Sequence, residues 1–147
     1  MSKRNYVKAE KVTIDNIEFD SKAEGEMYLL LKNDPDVMDL ECHPVFTLVE
    51  PFQVVCGACG GDKVAPSPKT GKPIKCSWCK GEGVKKRQGM VYTADFHVRY
   101  RDGKEKVIDV KGWANERFPV VRKLFEKQHG AELVVMTKKN GKWVRRR

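Results

Sequence analysis

Two cysteine pairs constrain the fold of this 147-residue chain more than any other feature. Each pair has two residues between its cysteines, and the 16 residues 60–75 separate one pair from the other. This spacing is typical of a zinc site with four thiolate ligands, here Cys56, Cys59, Cys76 and Cys79. A redox dithiol and two chance pairs are the alternatives, and the repetition of the pair favours zinc. Because all four ligands come from protein, we expect the zinc to hold structure rather than to take part in chemistry.

The cysteines predict a small domain inserted into a larger one. We assign a zinc-ribbon-like, four-cysteine insertion to residues 52–89 and the surrounding domain to residues 8–51 and 90–147. Glycines that follow each pair suit tight turns in which backbone amides reach the sulfurs. We expect Trp78, inside the second pair, to pack over the metal, with stacking on a nucleic-acid base as the alternative.

The surrounding domain has the pattern of a mixed α/β (α+β) fold. Asp20 or Ser21 caps a predicted helix that runs to about Lys32. Pro119 opens a second helix, and Gly130 ends it. Apolar residues predict a strand over residues 40–50 that is broken by Pro44, and further strands over residues 90–100, 105–111 and 133–137. The last ten residues have the composition of a basic tail, and we find no internal repeat.

The hairpin that follows the insertion carries the residues that indicate chemistry. Asp109 and Lys111 are two residues apart on a strand and therefore project from the same face. A three-residue loop at 102–104 would pair His97 with Asp109 and bring Asp95 to that same polar face. Two acids can hold a hard divalent cation through oxygen, and a lysine beside them can stabilise charge on phosphate.

Glu24 adds a third acid on the predicted first helix. At helical spacing it lies in a row with the apolar residues Met27, Tyr28 and Leu31. A carboxylate on such a stripe is costly unless it meets a cation or hydrogen-bond donors. It could cap the helix as the partner of Asp20 or Ser21, but the acids on the hairpin favour a role at a metal.

Charge distribution favours a polyanionic partner. The net charge is +9, with 6 basic and 11 acidic side chains in residues 1–51, 8 and 2 in residues 52–88, and 15 and 7 in residues 89–147. A basic surface of this kind suits nucleic acid, although a solvated surface is also compatible with it. The candidate DNA-binding residues are Lys85, Lys86, Arg87, Arg145, Arg146 and Arg147.

Composition excludes several other classes. A chain that is 40% hydrophobic can bury a core, and no apolar run approaches the roughly 18 residues of a membrane span. The first residues have no apolar stretch of the kind found in secretory signals. We therefore expect a cytoplasmic protein without a membrane partner, in which the cysteines bind metal rather than form disulfides.

Three segments together resemble the PD-(D/E)XK nuclease superfamily. They are Phe19–Glu24, Tyr92–Phe96 and Ile108–Gly112, and they occur in the order and spacing of that superfamily. The closest likeness is to phage and prophage endonucleases related to Holliday-junction resolvases. The resemblance implies a restriction-endonuclease-like mixed central sheet flanked by helices, and a bacterial host cell as the location.

The resemblance also implies roles for individual residues. Asp95 and Asp109 would coordinate Mg²⁺ or Mn²⁺ together with the carbonyl of Val110, and Glu24 would complete the metal site. Lys111 would orient the attacking water and stabilise the developing charge. Alanine at position 94 replaces the proline of the motif, and aspartate at 109 replaces the commoner glutamate; both are variants that the superfamily tolerates.

The predicted function is metal-dependent hydrolysis of DNA, with selectivity for branched or Holliday-junction DNA during phage recombination or packaging. A resolvase would act as a homodimer, because four-way junctions have two-fold symmetry. The alternatives are a nicking, exonucleolytic or restriction-like nuclease, and a non-catalytic zinc protein that binds nucleic acid on a nuclease scaffold.

Overall fold

The computed structural model describes residues 9–112 and 118–147, and within them two helices and thirteen strands. The helices are α1 (Lys22–Asn33) and α2 (Phe118–His129). The strands are β1 (Val12–Ile14), β2 (Ile17–Phe19), β3 (Val37–Cys42), β4 (Val45–Val49), β5 (Phe52–Val55), β6 (Val64–Pro66), β7 (Pro73–Lys75), β8 (Val84–Arg87), β9 (Met90–Thr93), β10 (Phe96–Tyr100), β11 (Glu105–Val110), β12 (Leu133–Lys139) and β13 (Lys142–Arg146).

A five-stranded mixed sheet forms the largest element, with the strand order β13-β12-β11-β10-β3. β11 and β12 are parallel, and each other neighbouring pair is antiparallel. α2 lies between the two parallel strands in the chain, as a parallel pair requires a crossover connection. The prediction of a mixed α+β fold with two helices is therefore confirmed.

One face of this sheet packs against α1. Phe96 of β10 and Ile108 and Val110 of β11 are buried in one cluster with Met27 of α1. Because side chains alternate along a strand, Asp109 projects from the opposite face. The sheet thus separates the apolar side of the hairpin from the side that carries the acids, as predicted.

The start of α1 follows from its capping residues. Ser21 is the N-cap, and its side chain accepts a hydrogen bond of 3.2 Å from the backbone N–H of Glu24. The preceding hairpin of β1 and β2 turns at Asp15 and Asn16, which have φ angles of 52° and 62°. Positive φ at both central residues is the geometry of a two-residue hairpin loop.

The register of the β10–β11 hairpin differs from the predicted one by two residues. His97 pairs with Val107, and the loop is formed by residues 101–103 instead of 102–104. The cause is the glycine at the third loop position, which has a φ angle of +86° and suits the left-handed end of a three-residue loop. A shift of two leaves every side chain on its predicted face.

Two further segments differ from the prediction. The predicted strand 90–100 is divided at Asp95 into β9, which pairs with β4, and β10, which belongs to the central sheet. The predicted basic tail contains β13, which pairs with β12 through a turn at Asn140 and Gly141. These two residues have φ angles of 50° and 74°, so an Asn-Gly hairpin signal was present in the sequence.

The chain divides into two compact units. One unit extends to Phe46 and resumes with Tyr92–Arg147, and the other is Thr47–Val91, which encloses the predicted zinc insertion. We call the second one the cysteine unit. Its strands form two antiparallel pairs, β5 with β8 and β6 with β7.

The cysteine unit contains an internal repeat with an offset of 20 residues, which the sequence analysis missed. The N–H of Cys56 donates to the carbonyl of Gly83, and the N–H of Cys76 donates to the carbonyl of Lys63, both at 2.9 Å. Lys63 and Gly83 occupy equivalent positions with φ angles of 71° and 77°. The two halves therefore share the same backbone conformation, although the equivalent turn position is a lysine in one and a glycine in the other.

Candidate functional site

Asp95, Asp109 and Lys111 come together where β11 ends. The N–H of Val110 donates to Oδ2 of Asp95 at 2.6 Å, and Nζ of Lys111 lies 3.0 Å from Oδ2 of Asp109. The backbone N–H of Lys111 donates to the carbonyl of Met136 at 2.9 Å. This bond fixes the chain just beyond β11 against β12, and the bond from Val110 ties Asp95 to the end of the same strand.

Two buried polar atoms at this site have no hydrogen-bond partner among the described residues. They are Oδ2 of Asp109 and the hydroxyl of Tyr92. Lys111 is an ion-pair neighbour of Oδ2 at 3.0 Å, but its ammonium is not in hydrogen-bonding geometry. Buried polar atoms are normally paired, so two unpaired ones suggest that water or an ion belongs here.

Electrostatics indicates an excess of negative charge. Burial and the nearby charge of Asp109 raise the pKa of Asp95 to about 8, despite the opposing hydrogen bond from Val110. Burial and the charge of Asp109 also raise the pKa of Tyr92 well above its ordinary range. A divalent cation would relieve the cost of ionising Asp95, because it favours the charged carboxylates.

Tyr92 is a site residue that the sequence analysis missed. Its ring lies 6.2 Å from that of Phe125 in an edge-on arrangement, which holds the hydroxyl on the acidic face of the sheet. The chain has four tyrosines, and a separation of three residues from Asp95 does not match the two-residue alternation of a strand. No sequence signal could therefore have distinguished it.

Glu24 caps α1 and lies near the acids without joining them. Its carboxylate accepts from the N–H of Asp20 at 3.2 Å and from the hydroxyl of Ser21 at 3.3 Å. Burial raises its pKa, and its charge contributes to the raised pKa of Asp95. The oxygens of Glu24, Asp95 and Asp109 do not all lie within 4.8 Å of one another, whereas the four cysteine sulfurs do. The capping contacts are present, and a role at a metal stays a prediction.

Two histidines lie around the acidic site. His43, to which the sequence analysis gave no role, donates its backbone N–H to the carbonyl of Asp95 at 2.9 Å and so holds that loop. His97, predicted to face Asp109, has its ring nitrogens 3.7 Å from Glu41 and 3.3 Å from Glu105. We therefore assign His97 to contacts with these two glutamates.

The cysteine unit brings its four cysteines into one buried cluster. Sγ of Cys56 lies 4.0 Å from that of Cys76, and Sγ of Cys59 lies 3.8 Å from that of Cys79. All four sulfurs lie within 4.8 Å of one another. A tetrahedral site with zinc–sulfur bonds of about 2.3 Å needs sulfur separations of about 3.8 Å. The cluster therefore fits a zinc ion.

The backbone prepares these sulfurs for a cation. The N–H of Gly83 donates to Sγ of Cys79 at 3.2 Å. Burial acts to raise the pKa of Cys79, but this amide, the neighbouring thiols and the amide of Gly81 outweigh it and lower the pKa to about 6. A side chain at position 83 would lie 2.9 Å from the carbonyl of Gly61, so the turn requires glycine there.

The candidate DNA-binding residues lie in both units. Lys85 and Arg87 are on β8, and Nζ of Lys85 donates to the carbonyl of Trp78 at 2.9 Å. Trp78 is 71% exposed, so the expectation that it packs over the metal is wrong. The turn at the second cysteine pair directs its ring outward. Arg145 is on β13, where it forms an ion pair of 3.0 Å with Glu132.

A protein-family comparison covers both units. The sequence model described as "Protein of unknown function (DUF1064)" matches residues 2–146. The chain belongs to the DUF1064 family. No curated protein and no solved structure matches the chain. The family description names no activity, so the resemblance to PD-(D/E)XK nucleases stays a prediction. Within the described residues of this DUF1064 member, no helix is long and apolar enough to cross a membrane.

Proposed function

We propose that this protein is a metal-dependent endonuclease that hydrolyses phosphodiester bonds in DNA. The observation that carries the proposal is the buried Oδ2 of Asp109, which accepts no hydrogen bond from the described residues. It lies 3.0 Å from the ammonium of Lys111 and near the half-buried Asp95. Asp95 has a raised pKa because it is buried beside the charge of Asp109, and a divalent cation could neutralise the two carboxylates in place of a proton.

Asp95 and Asp109 are the residues that would hold Mg²⁺ or Mn²⁺, with Glu24 and the carbonyl of Val110 as additional ligands. Hard divalent cations prefer carboxylate and carbonyl oxygens, which is the donor set of this site. When bound, the cation would supply Lewis acidity, lowering the pKa of water and neutralising phosphate charge. The predicted cofactors are thus a catalytic Mg²⁺ or Mn²⁺ and a structural zinc.

Lys111 would stabilise charge that develops on the phosphate. Its Nζ lies 4.8 Å from the ring centroid of Phe118, and its side chain is 23% exposed. A partly desolvated ammonium held by an aromatic ring and by Asp109 is preorganised, so it acts more strongly than a mobile surface lysine. Asp109 would also keep the Lys111 ammonium oriented, since the two groups are 3.0 Å apart.

The arrangement of the elements supports the proposed nuclease architecture. α1, β3, β10, β11, α2 and β12 follow in chain order, and the acids lie on β11 and immediately before β10. The restriction-endonuclease-like sheet expected from the motif resemblance would require such a helix–strand–helix succession. One proposed metal ligand would therefore lie on β11 and the other in the short link that leads into β10.

DNA is the proposed substrate because residues 52–147 are basic, with 23 basic and 9 acidic side chains. Selectivity for branched DNA, a homodimer with two sites, and a role in phage recombination or packaging inside a bacterial cell rest on the motif resemblance. The symmetry of a four-way junction is the physical reason for a dimer.

The test is a cleavage assay on linear, nicked, flapped and four-way DNA with Mg²⁺ or Mn²⁺, using protein that retains its zinc. We expect metal-dependent cuts within branched DNA, and no cuts with Asp109→Asn. Exonucleolytic ladders or nicks in every duplex would favour a different nuclease. DNA binding without cleavage by either metal would favour the non-catalytic zinc protein.

A further inference from the structure

One face of the cysteine unit combines exposed aromatic rings with basic side chains. In the β5–β8 ladder Phe52 lies opposite Arg87, and Val54 lies opposite Lys85. Because directly opposed residues share a face and side chains alternate along a strand, these four side chains lie on the same face. Phe52 is 48% exposed and the Arg87 residue is exposed as well.

Trp78 extends this face beyond the strands. The ammonium of Lys85 donates to the carbonyl of Trp78 at 2.9 Å and lies 5.9 Å from the centroid of its ring. This contact fixes the lysine beside an indole that is 71% exposed. We call the surface formed by Phe52, Val54, Trp78, Lys85 and Arg87 the aromatic–basic face.

The internal repeat indicates that these residues are not needed for the fold of the unit. With the 20-residue offset, the positions of Trp78, Lys85 and Arg87 correspond to Ala58, Ala65 and Ser67 in the first half. The first half forms the same turn and the same type of strand with these small residues. The large side chains occur in one half alone, so a structural role does not explain them.

We propose that the aromatic–basic face binds unpaired nucleotides of a DNA strand. Bases would stack on Trp78 and Phe52, and Lys85 and Arg87 would contact the phosphates. Aromatic platforms interleaved with cations are the physical solution for holding single strands, since each base has a π face. The inference rests on the proposed function for the identity of the substrate, and it specifies a strand with unpaired bases.

Charge and shape favour this occupant over others. Residues 52–88 carry 8 basic and 2 acidic side chains, which complements a phosphate backbone. An apolar protein surface would cover Lys85 and Arg87 without pairing them, at a cost in desolvation. The bases of an intact duplex are stacked within it, so the rings could stack on bases that are unpaired and not on paired ones.

The experiment measures binding by fluorescence anisotropy, without added Mg²⁺ or Mn²⁺ and without chelator, so that cleavage does not contribute. The probes are a 20-nucleotide oligo-dT and a 20-base-pair duplex. Trp78→Ala is compared with Trp78→Phe, and Lys85→Ala/Arg87→Ala with Lys69→Ala/Lys72→Ala. The last pair removes the same charge from the exposed loop between β6 and β7. Zinc content is measured for every variant.

We expect Trp78→Ala to weaken oligo-dT binding roughly 5- to 150-fold, with an unchanged salt slope and less than about twofold change for duplex. Trp78→Phe should recover most of the affinity. The Lys85→Ala/Arg87→Ala variant should reduce the salt slope by about one to two, and its charge-matched control by less.

Equal oligo-dT affinity for Trp78→Ala and wild type, or equal losses for oligo-dT and duplex, would overturn the inference. Affinity lost together with zinc would do so too, because Trp78 would then be structural. These results do not depend on cleavage. A protein that binds as expected and cuts no DNA would refute the proposed endonuclease and leave the aromatic–basic face standing.

Discussion

Replacing Asp95 with asparagine should stabilise the protein when no divalent cation is bound. Burial and the charge of Asp109 raise the pKa of Asp95 from its usual value of 3.8 to about 8. Between these two pH values, Asp95 is therefore protonated in the folded state and ionised in the unfolded state. Asparagine is neutral in both states, and its carbonyl can still accept the hydrogen bond from Val110.

The sign and size of the effect follow from proton linkage. Where the unfolded state binds fewer protons than the folded state, the free energy of unfolding falls as pH rises, by at most about 1.4 kcal/mol per pH unit. From pH 3.8 to about 8 this amounts to a ceiling of about 6 kcal/mol. Structural relaxation and water entry lower it, and we expect a gain for Asp95→Asn of about 2–4 kcal/mol at pH 8.5.

The assay is urea unfolding of wild type and Asp95→Asn at pH 5.0, 7.0 and 8.5, in protein purified without chelator. Asp39→Asn is the control, because it removes one charge from an exposed position. The gain should increase with pH, and Mg²⁺ should stabilise wild type more than the variant. A gain that is independent of pH, or a loss of stability at pH 8.5, would refute the reasoning.

Three further predictions concern single residues. Asp109→Asn and Lys111→Ala should each abolish metal-dependent cleavage while leaving DNA affinity within about threefold, and wild-type cleavage by either would contradict the assignment. Tyr92→Phe should raise metal-free stability by about 1 kcal/mol in urea unfolding, because it removes a buried hydroxyl that makes no hydrogen bond with the described residues; a loss would mean that the hydroxyl is satisfied. Cys59→Ser should release zinc and unfold residues 47–91, seen as new proteolytic cuts confined there. A variant that has lost its zinc but resists proteolysis as well as wild type does would contradict this.

The last of these predictions follows from how the cysteine unit is packed. The four cysteines form its buried cluster, whereas the apolar residues Val55, Val64 and Ile74 are exposed. So small a set of buried side chains cannot offset the entropy of ordering the unit. The bound metal would therefore supply most of its folding free energy.

Periodic patterns made much of the fold predictable. Alternating apolar residues gave the central strands, and the Ser21 cap and Gly130 gave one end of each helix. The placement of Asp109 on the face opposite Ile108 and Val110 follows from the two-residue alternation of side chains along a strand. The same patterns could not predict that the strand is interrupted at Asp95. The interruption depends on tertiary hydrogen bonds, here those of Asp95 with His43 and Val110.

The candidate site was predictable in its ionisable residues and not in their surroundings. The cysteine spacing predicted the buried thiol cluster because four ligands at fixed spacing close on one ion. Tyr92 could not be found, since a buried hydroxyl has no sequence pattern. Trp78 was placed wrongly because large aromatic side chains are usually buried, and its exposure depends on the direction of one turn.

The most direct test of the metal site is an anomalous difference map from crystals soaked in Mn²⁺, with data on both sides of the zinc and manganese edges. We predict a zinc peak among the four cysteine sulfurs and a separate manganese peak in contact with Asp95 and Asp109, the latter absent from crystals of Asp109→Asn. A map with zinc at the cysteines and no manganese at the two acids would contradict the proposal of a metal-dependent nuclease.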